Sequence, residues 1–211
     1  METIGFLKKY NKEEKTLGSY TIIADVSRSI VEMLRKTMIP EPIQKEEEIG
    51  LCSPNDRGNH ILGIYLYDLD ENPEQRSKER RYLDREHYKE PPISINLYYM
   101  LFAYSDADPA NRIYDEQRIL GRAIQQMNEN RRLTDEYVKG TLKEKEEFIE
   151  LAMIPISLEE KVRIWSFFQQ PYHICTFYKA GPVFLESTRI FQTKRVKEVH
   201  ISLEEKEKNK T

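Results

Sequence analysis

Two aromatic, β-branched stretches constrain this chain most: HILGIYLYDL at 60–69 and PISINLYYMLFAY at 92–104. Each has the length and composition of one long strand, with tyrosine, phenylalanine, isoleucine and leucine in nearly continuous supply. Between them lies 71–91, a charge-rich segment closing on Pro91 and Pro92 and far longer than a hairpin needs. The pattern predicts two strands joined by an excursion. Taken alone, the excursion reads as a solvated, partly disordered loop.

The remaining segments extend the pattern. Ile22, Ile23, Val26, Ile30, Met33, Leu34 and Met38 recur with a helical period until Pro40 and Pro42 stop it. Residues 43–51 alternate weakly, as a further strand. Asp108 and Pro109 are placed as N-cap and first residue of a second helix, with Ile113, Leu120, Ile124 and Met127 on one face; Gly121 within it suggests close packing. FIELAMIPI at 148–156 reads as a strand. Ser157 and Glu160 form a capping box that opens a short helix carrying Trp165 and Phe168. YHICTFYK and VFLES make a strand interrupted by a bulge or corner at Gly181 and Pro182, and 188–203 reads as a sheet-edge strand.

Strands without a regular strand-helix alternation predict an α+β fold, a mainly antiparallel sheet with helices packed on one face. The expected core includes Leu66, Leu97, Leu101, Leu120, Ile124, Trp165 and Phe168. A charged arm is expected at 1–18, one domain at 19–203 and a disordered tail at 204–211.

Chemistry is hard to find. Four histidines lie in separate segments without HxxxH or HExxH spacing, and two cysteines stand far apart, so neither a metal site nor a disulfide framework is suggested. No phosphate-cradling glycine loop and no GxSxG elbow occurs. The expectation is a protein that is not an enzyme and has no cofactor or small-molecule substrate. A net charge of −3 provides no overall attraction to phosphate backbones, which argues against nucleic acid as a partner. Tyr65, Tyr67, Tyr98, Tyr99, Phe102 and Tyr104 could still form a base-stacking platform. The alternative is that alternate residues pack on helices while tyrosines cover the other sheet face. No leader-like or membrane-spanning apolar run is present, so assembly in the cytoplasm without membrane insertion is expected.

The charges point instead to protein partners. Arg76, Arg80, Arg81 and Arg85 in the excursion, and Arg189, Lys194, Arg195 and Lys197 near the end, are candidate contacts, arginine being well suited to carboxylates. Charges usually protect a sheet edge, but they also accompany strand addition by a partner.

Four ordered features carry a resemblance: the strand LGIYLY followed by DLDEN, YMLFAYS, LGRA, and a helix ending in Trp165 and Ser166 followed by PY and PV. Over roughly 19–187 they resemble the N-terminal domain of cap, or tail-terminator, proteins of extracellular contractile injection systems of the antifeeding-prophage and virulence-cassette type. The arm, the 71–91 segment and the lysine-rich end depart from that pattern. The resemblance implies a phage-tail-terminator-like fold and a homohexameric ring that ends the inner tube and receives the last sheath layer. Its partners would be its own subunits, the tube protein and the sheath protein, in a released or cell-bound particle. Asn72, which ends the DLDEN motif, and Arg76 beside it become contact candidates. A terminator or connector of a contractile phage tail or tail-like bacteriocin is the nearest alternative, and a nucleic-acid-binding module a more distant one.

Overall fold

In the computed structural model, residues 20–75, 79–134, 136–140, 142 and 148–193 are described. Helix α1 is Ile22–Met38, α2 Arg112–Glu129 and α3 Leu158–Phe167. The strands are β1 Ile49–Leu51, β2 Leu62–Glu71, β3 Arg81–Tyr82, β4 His87–Lys89, β5 Ile93–Ala103, β6 Glu150–Met153, β7 Cys175–Leu185 and β8 Ile190–Gln192. Five form a sheet in the order β1-β2-β5-β7-β6, antiparallel except for the β1–β2 pair; β3, β4 and β8 form a second, antiparallel sheet. The α+β expectation and the predominance of antiparallel pairing both hold.

The two long helices cover one face of the larger sheet. Ile22, Val26, Ile30, Met33 and Leu34 of α1, with Ile119, Leu120, Ala123 and Met127 of α2, pack on Leu62, Ile64, Leu97, Tyr99, Leu101, Tyr178 and Ala180. A buried hydrogen bond of 2.8 Å between Ser27 Oγ and the Tyr99 hydroxyl ties α1 to the central strand. The expectation of helices on one face needs correction, because α3 lies on the other. There Trp165 is buried with Met100, Phe102, Cys175 and Phe177, and Tyr65, Tyr67, Tyr104 and Phe168 pack at the margin. The physical reason is in the strands themselves: β5 and β7 are apolar on both faces, so both faces need a cover. Of the expected core residues, Leu97, Leu101, Leu120 and Trp165 are buried, whereas Leu66, Ile124 and Phe168 are half-buried.

Two bulges adjust the register. One adds Tyr67 to β2 between Leu66 and Asp68; the other sets Gly181 and Pro182 of β7 opposite Asn96, at the anticipated place. The capping box at α3 is present, with Ser157 Oγ accepting from Glu160 N–H at 3.2 Å. Two local expectations change. Asp108 caps a turn rather than the helix: its carboxylate accepts from Ala110 and Asn111 N–H, and α2 begins at Arg112. Gly121 is not closely packed, since a Cβ there would meet nothing within 4 Å.

Candidate assembly interface

The described part of the charged excursion forms strands. Its middle forms β3 and β4, and β4 pairs with β8 from the other end of the chain: His87 opposite Gln192, Tyr88 opposite Phe191, Lys89 opposite Ile190. Because Tyr82 is opposite Tyr88, the side chains of Tyr82, Tyr88 and Phe191 make one aromatic row across three strands. Tyr88 and Phe191 stack with centroids 5.3 Å apart; Tyr82 and Tyr88 are 6.0 Å apart. Guanidinium groups lie over the row, Arg80 at 4.6 Å from the Tyr88 centroid and Arg189 at 5.6 Å from that of Phe191. Tyr82 remains 59% exposed, so the row reaches solvent.

The residues between these point to the opposite side. Arg81 and Lys89, with Glu79, Pro92, Phe184 and Glu186, line a cleft of ≈ 330 Å³ between the small sheet and β7. Arg81 reaches Glu186 at 3.4 Å. Asp84 organises the β3–β4 turn: its carboxylate accepts from the backbone N–H of Glu86 and His87 and contacts His87 Nδ1 at 2.8 Å. These bonds, that to Glu86 first, hold its carboxyl below the ordinary aspartate range.

The predicted contact residues are therefore only partly united. Arg80 and Arg189 lie together over the aromatic row of the small sheet, Arg81 faces the cleft on its other side, and Arg85 is exposed in its turn. Asn72 has a structural role: its N–H donates to the Ser94 carbonyl and its side chain to Asn96 Oδ1, extending the β2–β5 ladder. Asn96 and Tyr98 in turn donate to Asp70 at 2.9 and 2.8 Å. Arg76, Lys194, Arg195 and Lys197 lie outside the described residues. Sequence reading missed that the excursion and the terminal strand are one surface. Tyr82, Tyr88 and Phe191 were the available signal, but nothing local pairs segments about a hundred residues apart.

The base-stacking platform is occupied by the protein itself. Tyr65 meets Phe168 edge-on at 5.3 Å, Tyr67 meets Phe177 at 5.2 Å, and Tyr99 is buried under α1. Desolvation raises the Tyr67 hydroxyl from 10.0 to about 12 and pushes that of Tyr99 up as well. Cys175 is buried and accepts from Trp165 Nε1 at 3.3 Å; burial also raises the Cys52 thiol from 9.0 to about 11, against the pull of Arg57. Among the described residues, no three His, Cys, Asp or Glu side chains are placed to hold a metal ion.

Comparison with known proteins bears on the whole of this architecture. Residues 25–198 match the family described as the Pvc16 N-terminal domain. The chain belongs to that family. Both segments of the small sheet fall inside the matched residues, as does the whole of the larger sheet. Two solved structures share the fold. One is the sheath/tube terminator, in the extended state, of the extracellular contractile injection system PVC (TM-score 0.61, 18% identity, 87% of this chain and 64% of the other covered). The other is the tube-terminating cap of the anti-feeding prophage (TM-score 0.56, 16% identity, 85% and 61% covered). This chain thus spans less than two thirds of each of those proteins. No curated protein matches.

Proposed function

We propose that this protein is a tube-terminating cap of a contractile injection particle. The observation that carries the proposal is the Pvc16 N-terminal domain match over 25–198, supported by a fold shared with two proteins described as terminator and cap. Six copies form a ring on the last layer of the inner tube. A ring of identical subunits needs two different surfaces per subunit, and this fold has them in its open sheet edges and its charged small sheet. Growth stops by geometry: one ring face is complementary to a tube layer and the other gives the next layer nothing to dock on. The role is structural and needs no cofactor, small-molecule substrate or membrane.

The small sheet is the surface that holds the distal sheath. Its exposed tyrosine and arginines are residue types that dominate binding energy at protein interfaces. Among the described residues its outer strand, β8, has one unpaired edge, which would take an extended sheath segment whose backbone hydrogen bonds resist pulling together. Deletion of residues 188–211 removes β8 and leaves all five strands of the larger sheet. The expected result is a folded, ring-forming chain with weak sheath attachment; normal sheath retention would contradict this assignment. The cap role itself is tested by growing tubes of the same system with and without the chain, which is expected to halt elongation at one end.

A further inference from the structure

The free edge of β1 carries a second candidate surface, at the end of β2 where that strand begins. Among the described residues, β1 is outermost in its sheet and pairs only with Leu62–Ile64. Cys52 N–H donates to the Ile64 carbonyl and Ile61 N–H to that of Glu48. In a parallel ladder this turns the peptide groups of the even-numbered residues toward β2 and those of Ile49 and Leu51 outward. The Ile49 carbonyl accepts from Arg35 Nε at 3.1 Å and Nη2 at 2.7 Å. The Leu51 peptide group faces out, and its side chain is 45% exposed.

Beside this edge runs a cleft of ≈ 510 Å³, with Arg28, Glu32 and Arg35 of α1 on one side, Leu51 of β1 on the other, and Lys139 and His60 also lining it. Arg28, Glu32 and Arg35 follow one stripe of the helix, so α1 walls a slot whose other wall is a sheet edge. Lys139 meets Glu32 at 3.1 Å, and Arg28 approaches Asp25 at 3.8 Å while its side chain stays 69% exposed. Cations outnumber carboxylates along the lining. Edges that must stay empty usually carry proline or charge, and Ile49, Gly50 and Leu51 are neither.

We infer that this slot takes an extended acidic segment of a partner protein, added as a strand to β1 with its carboxylates toward Arg28 and Lys139. The Leu51 peptide group supplies the backbone pairing, and the cations select the sign of charge. The inference does not depend on the tube-terminating reading.

The test uses the full chain and two short labelled peptides, one alternating valine with glutamate and one alternating valine with lysine, read by fluorescence anisotropy. The glutamate peptide is expected to bind, more weakly as salt rises, and the lysine peptide not to bind. Leu51→Pro removes an outward N–H without breaking a bond to β2. Arg28→Glu combined with Lys139→Glu reverses the cations and leaves Arg35 on the Ile49 carbonyl. Each variant is expected to weaken binding about tenfold or more with native circular dichroism retained. Equal binding of both peptides, or undiminished affinity in a folded Leu51→Pro protein, would overturn the inference. If that variant does not fold, unchanged affinity in the charge-reversed protein would overturn it instead. Binding seen only after removal of residues 1–19 would assign the slot to the chain's own arm, and would overturn it equally.

Discussion

At the residue scale, the second sheet face is organised around Trp165, whose ring is buried and whose Nε1–H finds its partner in the Cys175 sulfur. Truncating it to alanine removes a large buried ring from a small cluster, so Trp165→Ala should cost about 3–5 kcal/mol. Trp165→Phe keeps most of the packing, loses the hydrogen bond, and should cost far less; chemical denaturation of both variants checks the difference. The half-buried Cys52 thiol and Tyr67 phenol on the same face set a pH dependence. Folding raises Cys52 from 9.0 to about 11 and Tyr67 from 10.0 to about 12. Groups raised in this way contribute fully below their unfolded values, and the contribution is lost as pH rises through the folded ones. Stability should therefore decline above pH 9, and alkylation of Cys52 should accelerate toward pH 11 rather than near 9. Alkylation at neutral pH as fast as that of an unfolded thiol would contradict this.

At the element scale, local patterning was legible and long-range pairing was not. The helical period ending at Pro40 gave α1, and Ser157 with Glu160 gave the start of α3, because caps and periods act within a few residues. The face that α3 covers was not legible: alternation says which residues share a face, but not which element lies above it. The junction of β4 with β8 was hidden for the same reason, and with it the meeting of Arg80 and Arg189 over one aromatic row. The place of Asn72 at the end of the strand ladder was not legible either, since its motif pointed only to a contact. Gly121 misled in a simpler way, since helix glycines often mark close approach and this one faces open space. Gly121→Ala should therefore stabilise the protein by about 0.5–1 kcal/mol through helix propensity alone. A lowered midpoint in thermal unfolding would show instead that the position is crowded.

At the scale of the whole molecule, one sheet is covered on both faces, which leaves its outer strands, its small accessory sheet and its exposed loops as the surfaces through which the proposed assembly would form. That division of labour suits a subunit whose work is done by surfaces: neighbours around a ring, a tube layer below, a sheath layer outside. The match over residues 25–198 supplies the family, and the geometry supplies two sheets with separate outer strands. Termination of the tube would be visible by electron microscopy of this protein mixed with the tube protein of its own system. The expected result is an added density at one tube end, built of six subunits, on tubes that no longer lengthen there. Bare ends on tubes that keep growing would contradict it, and would leave the shared fold without the shared role.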